Sequence, residues 1–154
     1  RQVGIMRRSR ETFVCTGSKA RPWAGHLQGP DFVAMANVLV SEQVVQAMAE
    51  TFETGRGTLP LAERLLRAIE AGRDAGGQLA PENQHYDERS ALLRIIGDGP
   101  ERRDMTVLDL RVDMASQAVH ELRRMYEIYK PVVKRRSLRA SDPGQDLPTA
   151  VWEA

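Results

Sequence analysis

Two hydrophobic periodicities alternate along the chain, and the switches between them mark out its elements. Residues 2–6 and 12–16 are short runs rich in Val, Ile, Phe and Thr, joined by the basic connector Arg7-Arg8-Ser9-Arg10, which predicts a β-hairpin. A loop punctuated by Gly17, Pro22, Gly25, Gly29 and Pro30 follows. It leads into residues 32–40, an apolar run of strand length broken only by Asn37. Such a run predicts a central strand buried on both faces, with Asn37 its only buried polar side chain. Ser41 then stands where an N-cap would, and Val44, Val45, Met48 and Phe52 recur at helical spacing up to Gly55 and Gly57, predicting a helix over 42–54. A second helical stripe, Leu61, Leu65, Leu66 and Ile69, runs to Gly72. Both helices are expected to cover one face of a sheet.

Residues 76–89 are polar and read as a loop. Residues 90–96 read as a strand closed by Gly97-Asp98-Gly99-Pro100. From 106 to 112 the pattern alternates, with Leu108, Leu110 and Val112 on one side and Val107, Asp109 and Arg111 on the other. Ser116 is the expected cap of a third helix whose stripe is Val119, Leu122, Tyr126 and Tyr129, and Lys130-Pro131 is expected to end it. The organisation is therefore an α+β domain over 1–130 and a basic, Pro/Gly-containing tail over 131–154.

Composition narrows the partners. A chain of 154 residues suits one domain, and its net charge of +1 gives no global field for nucleic acid or an acidic membrane surface. No apolar run approaches the roughly 18–20 residues of a membrane span. The single cysteine, Cys15, excludes an internal disulfide, and a reducing, soluble compartment is expected. The chain opens directly in a strand-like run, so it reads as the later part of something longer, and a missing N-terminal segment of the same protein is an expected partner.

The densest chemistry lies at Arg21-Pro22-Trp23-Ala24-Gly25-His26. Trp23 would supply a flat apolar wall and His26 a proton donor or acceptor, or the pair would pin a loop to the sheet. Asn37 would stabilise an oxyanion in acyl transfer, or serve as a satisfied core amide. Arg111, flanked by Asp109 and Asp113 at period two, would grip a substrate carboxylate, or belong to a solvated ion-paired face. Arg89 and Ser90 offer another donor pair at a strand entrance, or a plain surface loop. His26, His85 and His120 lack ligand spacing, so neither metal nor cofactor is expected. Cys15 reads as a small hydrophobe, and Lys134, Arg135, Arg136 and Arg139 as a solvated tail without the aromatic platform of a nucleic-acid site.

Taken in order, Arg1-Gln2-Val3-Gly4-Ile5, Thr16-Gly17, Trp23-Ala24-Gly25-His26 with Gly29, Asn37-Val38-Leu39, Arg89-Ser90-Ala91-Leu92, Asp109-Leu110-Arg111-Val112-Asp113 and Glu121-Leu122 resemble the later two-thirds of domain-of-unknown-function family 1028. That family is grouped with the N-terminal-nucleophile (Ntn) hydrolases. The resemblance implies an αββα sandwich, two antiparallel sheets with flanking helices, incomplete without an N-terminal segment, in a cytoplasmic protein that forms homo-oligomers. It also implies an Ntn-type amidohydrolase acting on a small amide-containing metabolite. Asn37 would then serve the oxyanion, His26 and Trp23 would shape the pocket, and Arg89, Ser90, Asp109 and Arg111 would bind substrate. Arg1 can be neither nucleophile nor base, so the nucleophile would lie upstream of residue 1. Ala36 also stands before Asn37 where the family commonly has Gly. The rival reading is a non-catalytic Ntn-like binding or scaffold protein.

Overall fold

The computed structural model describes residues 1–79, 85–97 and 106–141. Strands β1 (Gln2–Met6) and β2 (Thr12–Thr16) form the expected hairpin, with Gln2 opposite Thr16 and Gly4 opposite Val14. Alternation puts Gln2, Gly4, Val14 and Thr16 on one face and Val3, Ile5, Phe13 and Cys15 on the other. The second face is exposed, Phe13 at 57%.

The segment expected to be a loop contains a strand instead. Residues β3 (Ala24–Gln28) pair antiparallel with β4 (Val33–Asn37), placing Ala24 opposite Asn37 and His26 opposite Met35. The glycines that suggested turns have a packing reason. A Cβ on Gly25 would stand 2.2 Å from Trp23 Cη2, and one on Gly29 would stand 1.9 Å from Phe32 Cε1.

The long strand over 32–40 is shorter than expected and is not buried on both faces. It ends at Asn37 because Val38 takes a left-handed φ of 58°, an uncommon conformation for a β-branched residue. Beyond that kink Val40 N–H donates to Gly77 O, and Leu79 N–H donates to Val38 O at β5 (Gln78–Leu79). Ala34 is buried while Met35 and Asn37 are exposed. The reason is layering: α1 (Gln43–Thr54) covers one face of β3–β4, and the small hairpin β1–β2 covers the other, with Gly4 3.3 Å from Met35 Cε at the position a Cβ would take.

Helix α1 matches its prediction except at its start, where Glu42 is the N-cap and makes no side-chain cap bond. Helix α2 (Leu61–Asp74) packs along α1. Within the polar stretch after it, two short strands pair, β5 and β6 (His85–Tyr86). Strands β7 (Ser90–Ile96) and β8 (Thr106–Asp113) pair antiparallel, with Leu93 opposite Leu110 and Leu92 opposite Arg111.

Helix α3 (Ala118–Ser141) does not stop at Pro131. An interior proline removes one main-chain hydrogen bond and crowds the carbonyl one turn back, at about 3 kcal/mol, and the following Lys134, Arg135, Arg136, Leu138 and Arg139 are good helix formers that offset it. The anticipated tail therefore starts as helix. Residues 142–154 and 98–100, where the rest of the tail and the turn after β7 were expected, lie outside the described residues.

Two apolar cores result. One joins Ala34, Leu39, Val44, Val45 and Ala49 between β4 and α1. The other joins Leu66, Leu93, Leu108, Leu110, Val112 and Leu122 between β7–β8, α2 and α3. Arg123 links the helices by ion pairs from α3 to Glu63 (2.9 Å) and Glu70 (2.8 Å) of α2. The whole is a mixed α/β arrangement of small antiparallel sheets with three helices. Among the described residues no helix is long and apolar enough to cross a membrane.

Candidate functional site

Gln2 and Thr16 are cross-strand partners on the inner face of the first hairpin, so both side chains reach the layer below. Gln2 Nε2 donates to Thr16 Oγ1 (2.9 Å), to Gly25 O (3.0 Å) and to Ala36 O (2.9 Å), while its Oε1 accepts from Asn37 Nδ2 (2.9 Å). Thr16 Oγ1 lies 2.8 Å from His26 Nδ1. The hydroxyl accepts from Gln2 and shares one further hydrogen bond with the His26 ring, in either direction according to the tautomer. A continuous chain of hydrogen bonds thus runs Asn37, Gln2, Thr16, His26. It ties the two hairpins together and unites two residues, Asn37 and His26, that sequence reasoning selected separately.

The structure corrects one property of Asn37: its side chain is exposed, not buried. The pleat aims it away from the α1 core, and Gln2 meets only one of its two N–H groups. The second has no partner among the described residues. Val38, with its strained φ, follows directly, held by N–H donation to Arg21 O.

Trp23 is fixed by paired main-chain bonds with Leu39 (3.2 and 3.0 Å) and lies over Gly25. Its indole, Thr16, Gly25 and His26 line a cavity of about 370 Å³ together with Glu42 and Gln46 from the start of α1. Glu42 brings a carboxylate to this space and holds Gln46 Nε2 at 3.3 Å. Gln2, Thr16 and Glu42 were not among the site residues read from the sequence. The first two were visible as parts of a predicted hairpin and among the residues that carry the family resemblance, without a site role.

The other expected site residues go elsewhere. Arg89 and Ser90 line a separate cavity of about 610 Å³ with Ala36, Val38 and residues of the helices. Asp109 and Arg111 share a face, as expected, but neither lines the Trp23–His26 cavity. Leu108, Leu110 and Val112 fill the core, so alternation turns Asp109 and Arg111 outward. There Arg111 spends Nε (2.8 Å) and Nη2 (3.0 Å) on Asp109. These bonds hold the Asp109 carboxyl below the usual carboxylate range and raise Arg111. Cys15 is a free, exposed thiol, because it lies on the open face of β2. No group of His, Cys, Asp and Glu that could hold a metal occurs among the described residues.

No curated protein matches the chain. A crystal structure of a protein from Silicibacter pomeroyi, described by the family model DUF1028, is similar in fold, with a TM-score of 0.64 at 24% identity, covering 83% of this chain and 51% of that one. The chain therefore spans about half the length of that neighbour. Residues 1–122, which include every hydrogen-bonding residue of the site, match the model of the Family of unknown function (DUF1028), and the chain belongs to that family.

Proposed function

We propose that this chain forms the distal part of an amide hydrolase of the Ntn type, acting on a small amide-containing metabolite. A segment upstream of Arg1 completes the αββα sandwich and supplies the nucleophile. The observation that carries this reading is the Asn37 carboxamide, oriented by Gln2 at 2.9 Å and left with an uncommitted N–H at a strained strand end. A donor fixed before reaction is what a developing oxyanion requires, because it needs no reorganisation as charge appears. The open apolar face of Val3, Ile5 and Phe13 is the surface an upstream segment of the same protein would cover.

The chemistry follows. The upstream hydroxyl or thiol adds to the amide carbon, and its proton passes to its own chain-terminal amine. The carbonyl oxygen becomes an oxyanion held by Asn37 Nδ2–H. The C–N bond then breaks, and the ammonium returns the proton to the departing nitrogen. Water hydrolyses the acyl ester or thioester, releasing a carboxylic acid and restoring the nucleophile. Trp23, Thr16 and His26 line the neighbouring cavity, to which Asn37 is linked through Gln2 and Thr16 rather than by lining it, and there His26 offers an imidazole to the polar end of the substrate. Asp109 and Arg111 take no part, since their fork is closed on itself.

The test incubates the full-length protein with a panel of small primary and secondary amides and traps the acyl-enzyme for mass spectrometry. Turnover with an adduct on a residue upstream of Arg1 is expected. Turnover without that adduct, or no turnover of any amide, refutes the proposal. The second reading, a non-catalytic binding protein, is favoured by the division of the polar residues between two cavities, and it predicts ligand binding without turnover.

A further inference from the structure

The 610 Å³ cavity has a composition of its own. Its floor is apolar, built from Val38, Leu39, Val44, Met48, Ile69 and Val119. Its charged lining includes Arg21, Asp87, Glu88 and Arg89. Arg73 also lines it but is already engaged, with Nη2 on Asp74 at 2.7 Å and Nη1 at 3.1 Å from His120 Nδ1. The side chains of Arg21, Asp87, Glu88 and Arg89 are different: three are exposed and Glu88 is half-buried, and none has a hydrogen-bond or ion-pair partner among the described residues.

The backbones of three of them are nevertheless anchored. Arg21 O accepts from Val38 N–H (3.1 Å), Glu88 O from Ala118 N–H (3.0 Å) and Arg89 O from Ala115 N–H (2.9 Å). Two cations and two anions therefore line one apolar-floored space, three of them on anchored backbone, and none is paired with another among the described residues.

We infer that this cavity binds a small zwitterion with an apolar side chain, the chemistry of a free amino acid. A guanidinium pairs bidentately with a carboxylate, so Arg21 and Arg89 suit the ligand's carboxylate. Asp87 and Glu88 suit its ammonium, and the floor takes its side chain. A ligand with one charge would leave the opposite pair facing it, which both attracts the right ligand and rejects the wrong one. The volume falls in the ordinary range for a small-molecule site. The inference does not rest on the amide-hydrolysis reading. Ala36 and Val38 line this cavity, whereas Asn37 between them bonds to Gln2 in the other layer.

Calorimetric titration of the intact protein with L-leucine, N-acetyl-L-leucine and L-leucinamide tests it. The second probe lacks the ammonium and the third the carboxylate. L-leucine is expected to bind, with each analogue weaker by about tenfold or more, the scale of one lost charge-assisted hydrogen bond. Arg89→Met should weaken L-leucine by a similar factor and leave L-leucinamide unchanged, while Glu88→Gln should do the reverse to N-acetyl-L-leucine and L-leucinamide. No heat with L-leucine at millimolar concentration, or equal affinity for the three probes on the wild-type protein, overturns the inference even if a variant fails to fold. Failure of amide turnover leaves it untouched.

Discussion

Replacing Gln2 with Met keeps the length of the side chain and removes the Gln2 amide bonds between the two hairpins, leaving the Thr16–His26 bond and those of Thr12 with Gln28 and Gly29 in place. Gln2 has two donor hydrogens for three acceptors, Thr16 Oγ1, Gly25 O and Ala36 O, and one acceptor oxygen taken by Asn37. Sharing limits it to about three full bonds, each worth about 1 kcal/mol net. Gln2 is only partly buried, so water recovers some of that, and the expected loss is about 2 kcal/mol. For a chain of this size that is roughly 4–8 °C in melting temperature. Urea denaturation should show a lower midpoint with an unchanged slope, since the surface exposed on unfolding is the same. Amide exchange should accelerate first in residues 2–16, the hairpin released from the lower layer. Combining Gln2→Met with Asn37→Leu should cost less than the two separate losses together, because both remove one shared bond. A Gln2→Met protein within about 0.5 kcal/mol of wild type, the range of ordinary surface changes, would refute this account of how the hairpins are joined, as would strict additivity.

Glu63 gives a pH-dependent prediction. Burial would raise its carboxyl pKa, but hydrogen bonds from Arg123 and Arg67 outweigh that and hold it below its ordinary value of 4.5. A depressed folded-state pKa contributes stability that is present above pH 4.5 and is lost as pH falls through the lower folded value. Glu63→Gln should therefore melt below wild type at neutral pH, with the gap closing under acid; a gap constant with pH in thermal melts contradicts the assignment. Arg111→Lys loses the fork on Asp109 but lies on an exposed face, so melting temperature and amide turnover should both stay close to wild type. A large loss of turnover would return Arg111 to the site.

Much of the fold was legible because periodicity reports burial. The first hairpin, α1, α2, β7 and β8 each show one apolar face, and that face is what the structure buries in α1, α2, β7 and β8. Strand β3 was misread because Gly25 and Gly29 look like turn formers, while their role is to admit Trp23 and Phe32. The end of β4 was invisible because nothing about Val38 announces a left-handed φ; only the neighbouring bonds to Arg21 and Leu79 enforce it. Pro131 suggested a stop that the helix-favouring residues after it override. At the site, His26, Trp23 and Asn37 stood out as costly residue types, but Gln2 and Thr16 did not. Their importance comes from register, which sequence spacing alone does not supply across two hairpins.

The amide-hydrolysis account is tested most directly by the steady-state kinetics of Asn37→Leu in the full-length protein, paired with its melting curve. Asn37 is exposed and gives up one bond to Gln2, so its removal should cost little stability. If its free N–H holds the oxyanion, kcat should fall by about 10²–10³ with KM little changed. Turnover within about twofold of wild type, well short of the loss expected on removing an oxyanion donor, would contradict the claim, and so would a loss of activity that only tracks a fall in melting temperature.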